Sequence, residues 1–178
     1  TSNMNSLKVA GNIEREKELA KKCSFIITTS MKLFRRNLVQ NPNTFLVENG
    51  YDFEGAIIDE KTVNTLKAIR RPIVGYIGEI RSWIDFKLVE YLLERFPNYS
   101  FVFIGHVNND SINTFNEFTG RFKNAYFTGR VVYKSLPSAM KFFEVGIIPF
   151  SLNEFMESVN PNKFYEMIGN GIPIVSNN

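Results

Sequence analysis

The sequence feature that most constrains the fold is a series of short apolar runs without polar alternation. These runs cover residues 72–78, 99–105, 125–129, 145–150 and 172–176. A strand with one face in water alternates apolar and polar residues, whereas an uninterrupted apolar run of this length is typical of a strand buried on both faces. The runs therefore predict the strands of a parallel sheet covered on both sides.

Patterns with helical spacing lie between successive runs. In residues 83–96 the apolar positions recur every three or four residues, Asp85 stands at the start, and Pro97 ends the pattern. Further patterns of this kind predict helices over residues 111–122, 135–143 and 162–168. Strands that alternate with helices form βαβ units. The predicted fold class is therefore α/β, a Rossmann-like parallel sheet with helices on both faces.

The beginning of the chain does not follow this alternation. A charged helix is predicted from Asn12 to Lys22, and two short strands over residues 25–29 and 44–47 flank a basic helix over residues 31–36. A polar connection, partly helical, follows from Phe53 to Arg71. We therefore interpret residues 1–71 as the remnant of a preceding domain plus a linker, and residues 72–178 as the α/β domain. The chain opens on Thr1, so we expect it to be a fragment of a longer protein.

Composition narrows the class of function. The chain has one cysteine and one histidine, which excludes an internal disulfide and argues against a zinc cluster. Its net charge is +3, and its basic residues are scattered rather than grouped in the basic stripe that is typical of a nucleic-acid-binding surface. There is no signal peptide and no apolar run of bilayer length, so we expect a cytoplasmic protein without nucleic-acid partners.

Glycines mark the ends of the predicted strands, where a parallel sheet binds its ligands. Gly78 and Gly105 end two of the runs, and Gly129-Arg130 follows a third. Because glycine has no side chain, it lets the backbone approach a phosphate closely.

A second phosphate-binding feature is the predicted start of the last helix. Pro161 suits a first helical turn, so Asn162, Lys163 and Phe164 would present free amides, and Lys163 adds positive charge. Phosphates prefer such a helix start, so the sequence predicts that a phosphorylated small molecule binds at this edge of the sheet.

The order of these motifs resembles the C-terminal half of GT-B glycosyltransferases, in the broad group that includes family 4. The segment from Asn160 to Val175 matches the family pattern P-x-K-x-x-E followed by G-x-P-V-V. The segment Phe127 to Val131 falls in the family order, and Asn49 to Asp52 resembles the N-G-V-D segment between the two family domains. The resemblance covers residues 12–178, and the family's N-terminal acceptor-binding domain is mostly absent.

The resemblance implies a donor-binding domain and a role for each matching residue. The donor would be a nucleoside-diphosphate sugar, without a metal or other cofactor, and the acceptor a glycan or lipid-linked molecule bound through the N-terminal domain. Glu166 would accept hydrogen bonds from the ribose, and the backbone at Arg130-Val131 would read the base. Lys163, Glu166 and Arg81 are the predicted catalytic residues. The predicted donor-binding residues are Gly78, Gly105, Arg130, Val131, Pro161, Asn162, Lys163, Phe164 and Glu166.

The chain also departs from the family pattern. Ser158 stands where the family has an upstream acid, and Glu79 and Ile84 occupy the positions of a basic pair, with Arg81 between them as a substitute. The family also implies peripheral membrane association of the full protein, and we expect this fragment to bind nucleotide without transferring sugar. A GT-B sugar-nucleotide epimerase and a non-catalytic nucleotide-binding α/β module remain alternatives.

Overall fold

The computed structural model describes residues 2–52 and 55–177, with side chains from residue 12 onward. The first two residues of the predicted connection, Phe53 and Glu54, lie outside the described residues. The chain forms two compact units. One runs up to Asn49 and includes Glu157–Asn160, and the other runs from Gly50 to Met156 and continues from Pro161.

The larger unit contains a parallel sheet, as predicted. Its strands lie side by side in the order β5-β4-β3-β6-β7, and every neighbouring pair is parallel. The strand order changes direction at β3, so the topological switch point lies between β3 and β6. Ligands bind beyond the carboxyl ends of strands at such a point. The strands are β3 (Ile73–Ile77), β4 (Ser100–Ile104), β5 (Ala125–Gly129), β6 (Val145–Ile148) and β7 (Ile174–Ser176).

Five helices surround this sheet: α3 (Glu60–Lys67), α4 (Phe86–Arg95), α5 (Ile112–Arg121), α6 (Leu136–Met140) and α7 (Asn162–Gly169). Helix α4 begins at Phe86 rather than at the predicted residue 83, because the Asp85 carboxylate caps it and accepts a hydrogen bond from the Leu88 amide at 3.0 Å. Helix α6 is shorter than predicted, since Tyr133–Ser135 form a 3₁₀ turn and the helix ends at Met140.

Both faces of the sheet are buried, which confirms the predicted Rossmann-like architecture. On one face a core cluster joins β3 and β4 to α3, α6 and α7, and it includes Leu66, Ile73, Val102, Met140 and Met167. On the other face, aromatic rings from β4 pack edge-on against α5. The centroids of the Phe103 and Phe115 rings are 5.7 Å apart, and those of Phe103 and Phe118 are 5.8 Å apart.

Two glycines in the central strands allow the first face to pack closely. A Cβ at Gly75 would lie 2.1 Å from the Phe143 ring, and one at Gly146 would lie 2.2 Å from the Met167 sulfur. Neither distance leaves room for a methyl group. Helix α7 therefore rests directly on the backbone of β6, which fixes the height of the helix start above the sheet edge.

Helix α3 belongs to the larger unit, although the sequence-based boundary at residue 72 placed it in a linker. Leu66 is 1% exposed and Ile69 is 8% exposed, and both lie in the core cluster. The helix is otherwise polar, so its few apolar positions did not predict burial. In the structure, the compact unit starts at Gly50.

The smaller unit consists of α1 (Ser2–Lys22), β1 (Ile26–Thr28), α2 (Met31–Leu38) and β2 (Thr44–Leu46). The two strands pair in parallel, with Ile26 opposite Thr44. The Ser30 hydroxyl caps α2 and donates to the Ser158 carbonyl at 2.8 Å, and Lys32 forms an ion pair with Glu157 at 2.6 Å. These contacts explain why Glu157–Asn160 belong to this unit.

None of the helices in the described part of the chain combines the length and the hydropathy that crossing a bilayer requires.

Candidate functional site

A cleft of about 780 Å³ opens at the carboxyl ends of β3, β4 and β5 in the larger unit. This is the edge of the sheet at which the sequence predicted a ligand. One end of the cleft is formed by strand-end glycines, and the other by more apolar residues between β5 and α6. The lining residues are Gly78, Glu79, Ile104, Gly105, His106, Arg130, Val131, Val132, Tyr133 and Leu136.

The glycine end of the cleft is a layer of closely spaced backbone. The Gly78 amide donates to the Ile104 carbonyl at 2.9 Å, and the Gly105 amide donates to the Gly129 carbonyl at 3.0 Å. A Cβ at Gly105 would lie 1.9 Å from the Gly78 carbonyl oxygen. No side chain fits between these strand ends, so a ligand here would meet the backbone itself.

Helix α7 begins next to this layer, as predicted. Pro161 is extended, with φ −77° and ψ 125°, and Asn162 is the first helical residue. The prediction of three free amides is wrong for Phe164, whose amide donates to the Pro161 carbonyl at 3.0 Å. The amides of Asn162 and Lys163 have no acceptor among the described residues. The helix start therefore offers two donors to an anion.

The Lys163 ammonium lies directly over Gly78. Its Nζ donates to the Tyr76 hydroxyl at 2.7 Å and lies 4.1 Å from the centroid of the Tyr76 ring and 4.6 Å from that of Phe150. A Cβ at Gly78 would lie 3.0 Å from Nζ. We call Tyr76, Gly78 and Phe150 the lysine cradle. The cradle brings together Lys163 and Gly78, two of the predicted donor-binding residues, while its two aromatic members were not anticipated.

Burial changes the acid–base behaviour of Lys163. Loss of hydration is the main effect and lowers its pKa to about 7, although the nearby carboxylates of Glu166 and Glu79 oppose that change. A bound diphosphate would favour the charged form. The ammonium is therefore poised to gain or lose its proton near neutral pH, depending on whether an anion is present.

Glu166 lies one turn further along α7 and is 9% exposed. Burial raises the pKa of its carboxyl group, while a hydrogen bond from Tyr133 and the charge of Lys163 oppose this. Desolvation, followed by the charge of Glu166, raises the pKa of Tyr133 to about 12, so its hydroxyl stays protonated and donates. Tyr133 lines the cleft, which links Glu166 to this space.

The structure places Arg130 and Val131 along the apolar end of the cleft, where the family resemblance expects the base. Arg81, in contrast, is not among the lining residues. Its Nε donates to Asp110 at 3.0 Å, its Nη1 lies 3.7 Å from Glu79, and its guanidinium stacks over Trp83 at 5.2 Å. The structure thus groups Lys163 and Glu166 without Arg81, whose catalytic role stays a prediction.

The strand order, the cleft at the carboxyl ends and the helix start with its lysine together define a Rossmann-like domain of the nucleotide-binding type. No protein-family profile matches the chain. It is 27% identical over 134 residues to TuaH of Bacillus subtilis (strain 168), a glycosyltransferase assigned to teichuronic acid biosynthesis. That match covers 74% of this chain and 34% of TuaH.

Two solved structures of Anabaena Alr3699/HepE have the same fold. The complex with UDP and glucose matches with a TM-score of 0.73 and 16% identity, and the complex with UDP with a TM-score of 0.67 and 14% identity. Each match covers 93% of this chain, which spans 48% of HepE. The chain is thus similar in sequence to part of a glycosyltransferase and shares the fold of part of HepE, in agreement with the GT-B resemblance of its motifs.

Proposed function

We propose that the larger unit binds the nucleoside diphosphate of a sugar donor, and that the protein transfers the sugar to a glycan or lipid-linked acceptor. One observation carries the proposal: the ammonium of Lys163 sits over Gly78, next to a cleft of about 780 Å³ and the start of α7. A half-buried cation beside unpaired amides is a site built for an anion.

The geometry suggests an orientation for the nucleotide. Its diphosphate would lie at Gly78 and Gly105, facing the amides of Asn162 and Lys163. Its ribose would reach Glu166, and its base would lie along Arg130-Val131. Pro161 contributes by holding the helix start in its extended entry conformation. The apolar end of the cleft suits a planar base better than a second charged group.

In the proposed reaction, the bond between the sugar C1 and the diphosphate oxygen breaks. An acceptor hydroxyl oxygen forms the new bond to C1 and gives its proton to a general base, which we expect in the other half of the protein. The electron pair of the broken bond remains on the diphosphate. Lys163 and the two amides would stabilise that developing charge, and this electrostatic effect supplies much of the catalysis in such sites. We propose that the reaction uses no metal or other cofactor, because the amides and the Lys163 ammonium would stabilise the charge on the diphosphate.

Several finer assignments depend on the rest of the protein, because the chain spans only about a third to a half of its relatives. We propose a hexosyltransferase whose acceptor binds mainly to the other half. This chain alone should bind nucleotide without transferring sugar. Cytoplasmic location and peripheral association with the inner face of the membrane stay predictions.

The direct test is calorimetric titration of the chain with UDP, GDP and their sugars. UDP is the first ligand to try because both HepE structures contain it. We expect a single site, and we expect Lys163→Ala and Glu166→Ala each to weaken binding about tenfold or more, since each removes a charged hydrogen-bonding partner.

The matched controls are Lys123→Ala and Glu117→Ala, which remove the same charges from exposed positions on the larger unit. Both should bind like the unmodified chain. A folded sample that binds no nucleotide would contradict the proposal and favour a module that binds a protein partner. Unchanged affinity in the Lys163 variant would remove that residue from the site.

A further inference from the structure

We propose that Tyr76 is a positioning residue, whose ring and hydroxyl hold the Lys163 ammonium at the place where a diphosphate would bind. The inference rests on the proposed function for its ligand. It concerns a residue that the sequence motifs do not single out, because Tyr76 lies inside an apolar strand and would ordinarily be taken as core.

The contacts of Tyr76 go beyond those of a core tyrosine. Its hydroxyl donates to the Glu79 carbonyl at 2.8 Å, which would satisfy a buried hydroxyl, and it also accepts from Lys163 at 2.7 Å. The ring lies beneath the same ammonium. Tyr76 therefore contacts Lys163 through both its π face and its oxygen.

Tyr76 is also well fixed. The residue is fully buried, pairs with Phe103 across β3 and β4, and packs against the Phe103 ring with centroids 6.1 Å apart. A rigid strand side chain of this kind can hold a flexible lysine, which otherwise has many rotamers. The pre-organised ammonium would then lose little entropy when an anion arrives.

Three titratable groups besides Tyr76's own hydroxyl set the charge balance here. Lys163 reaches Tyr76 from α7, Glu79 lies in the segment after β3, and Glu166 lies one turn beyond Lys163 on α7. Burial raises the pKa of Tyr76 above its ordinary value, so its hydroxyl stays neutral across the working pH range. A neutral acceptor on the ammonium favours the charged form of Lys163.

Tyr76→Phe removes this acceptor and keeps the ring, and Tyr126→Phe is the matched control on strand β5. The ligand-free readout is the NMR titration of the Lys163 side chain. We expect its midpoint to fall in Tyr76→Phe and to stay unchanged in Tyr126→Phe. An unchanged midpoint in Tyr76→Phe overturns the proposal, whatever the nucleotide measurements show. Should Tyr76→Phe not fold, Phe150→Leu tests the cradle in the same way.

The second readout is the pH profile of UDP-glucose affinity, because the diphosphate of this donor keeps a constant charge near neutral pH. Affinity should fall above the Lys163 midpoint, since the anion binds the protonated form. In Tyr76→Phe the affinity should be about tenfold weaker near pH 7. Its fall with rising pH should also begin at a lower pH than in the unmodified chain. A loss of affinity that is the same at every pH would mean that Tyr76 only packs, and would contradict the positioning role.

The two proposals can fail separately. If the unmodified chain binds no nucleotide while the Lys163 midpoint still shifts in Tyr76→Phe, the donor site is refuted and positioning by Tyr76 is supported. If nucleotide binds and neither the midpoint nor the profile shifts, the donor site stands and the role of Tyr76 is refuted.

Discussion

Replacing Lys163 by methionine should stabilise the folded chain while it weakens nucleotide binding. The ammonium is held in a site that lowers its pKa to about 7, against an ordinary value of 10.5. Between these values the unfolded chain binds a proton that the folded chain does not. Folding therefore expels a proton, and the charged form opposes folding. Methionine has a similar shape and carries no such charge.

The sign and size of the stability difference follow from the coupling between proton binding and folding. A depressed folded-state pKa gives full stability above the unfolded value, and this stability is lost as the pH falls from about 10.5 to about 7. Over most of that window the loss is about 1.4 kcal/mol per pH unit. Between pH 9.5 and pH 7.5, the unmodified chain should therefore lose about 2.5 kcal/mol relative to Lys163→Met. The lost contact with Tyr76 adds a constant of opposite sign, about 1 kcal/mol, which does not change with pH.

Urea unfolding of both proteins at several pH values measures this difference. The chain has one tryptophan, and Trp83 lies in the larger unit, with the centroid of its ring 6.4 Å from that of Phe150. Its fluorescence therefore reports on the unit that contains Lys163. Phosphate buffers must be avoided, since an anion at α7 would itself raise the lysine pKa. A free-energy difference that stays constant from pH 7.5 to pH 9.5 would refute the argument from burial.

Three further substitutions test other parts of the structure. Gly105→Ala should lower the free energy of unfolding by about 2–4 kcal/mol, because its Cβ would lie 1.9 Å from the Gly78 carbonyl oxygen, and an unchanged urea midpoint would contradict the described strand ends. Gly120→Ala, in the last turn of α5 with open space around the new methyl, should raise that free energy by about 0.5–1 kcal/mol in the same assay. Arg81→Ala should weaken UDP binding less than Lys163→Ala, since its guanidinium is already paired with carboxylates, and an equal loss in calorimetry would restore its predicted role.

The fold could be predicted because each strand of the larger unit is an apolar run with no competing interpretation. The predicted helix boundaries were less accurate at positions where a local hydrogen bond determines where the helix begins. Asp85 caps α4 later than the apolar spacing suggests, and its own amide donates to the Pro149 carbonyl at 2.8 Å instead of to a helical acceptor. Helix α3 was missed as part of the domain, since two buried residues in a polar segment give almost no periodic signal.

The candidate site likewise contains residues that could be predicted from the sequence and residues that could not. Residues that act through the backbone or stand in a spaced motif could be found, such as Gly78 and Lys163. Partners that come from inside a strand could not, because Tyr76 and Phe150 look like ordinary core residues in the sequence. Their role depends on the height of α7 above the sheet, which the contact between Gly146 and Met167 sets and no local pattern encodes.

The structure also gives a physical reason for the chain's departure from the family pattern after the first strand of the sheet. The family resemblance places a basic pair where this chain has Glu79 and Ile84. Ile84 is 3% exposed and forms a backbone bridge with Phe150, so a lysine at that position would have to bury its charge in the core. Glu79 accepts from Asn108 at 2.8 Å and lies near Arg81. The cation over Gly78 is Lys163 of α7, which the family pattern shares, and binding should depend more steeply on that one side chain than it would where a further basic pair also contacts the diphosphate.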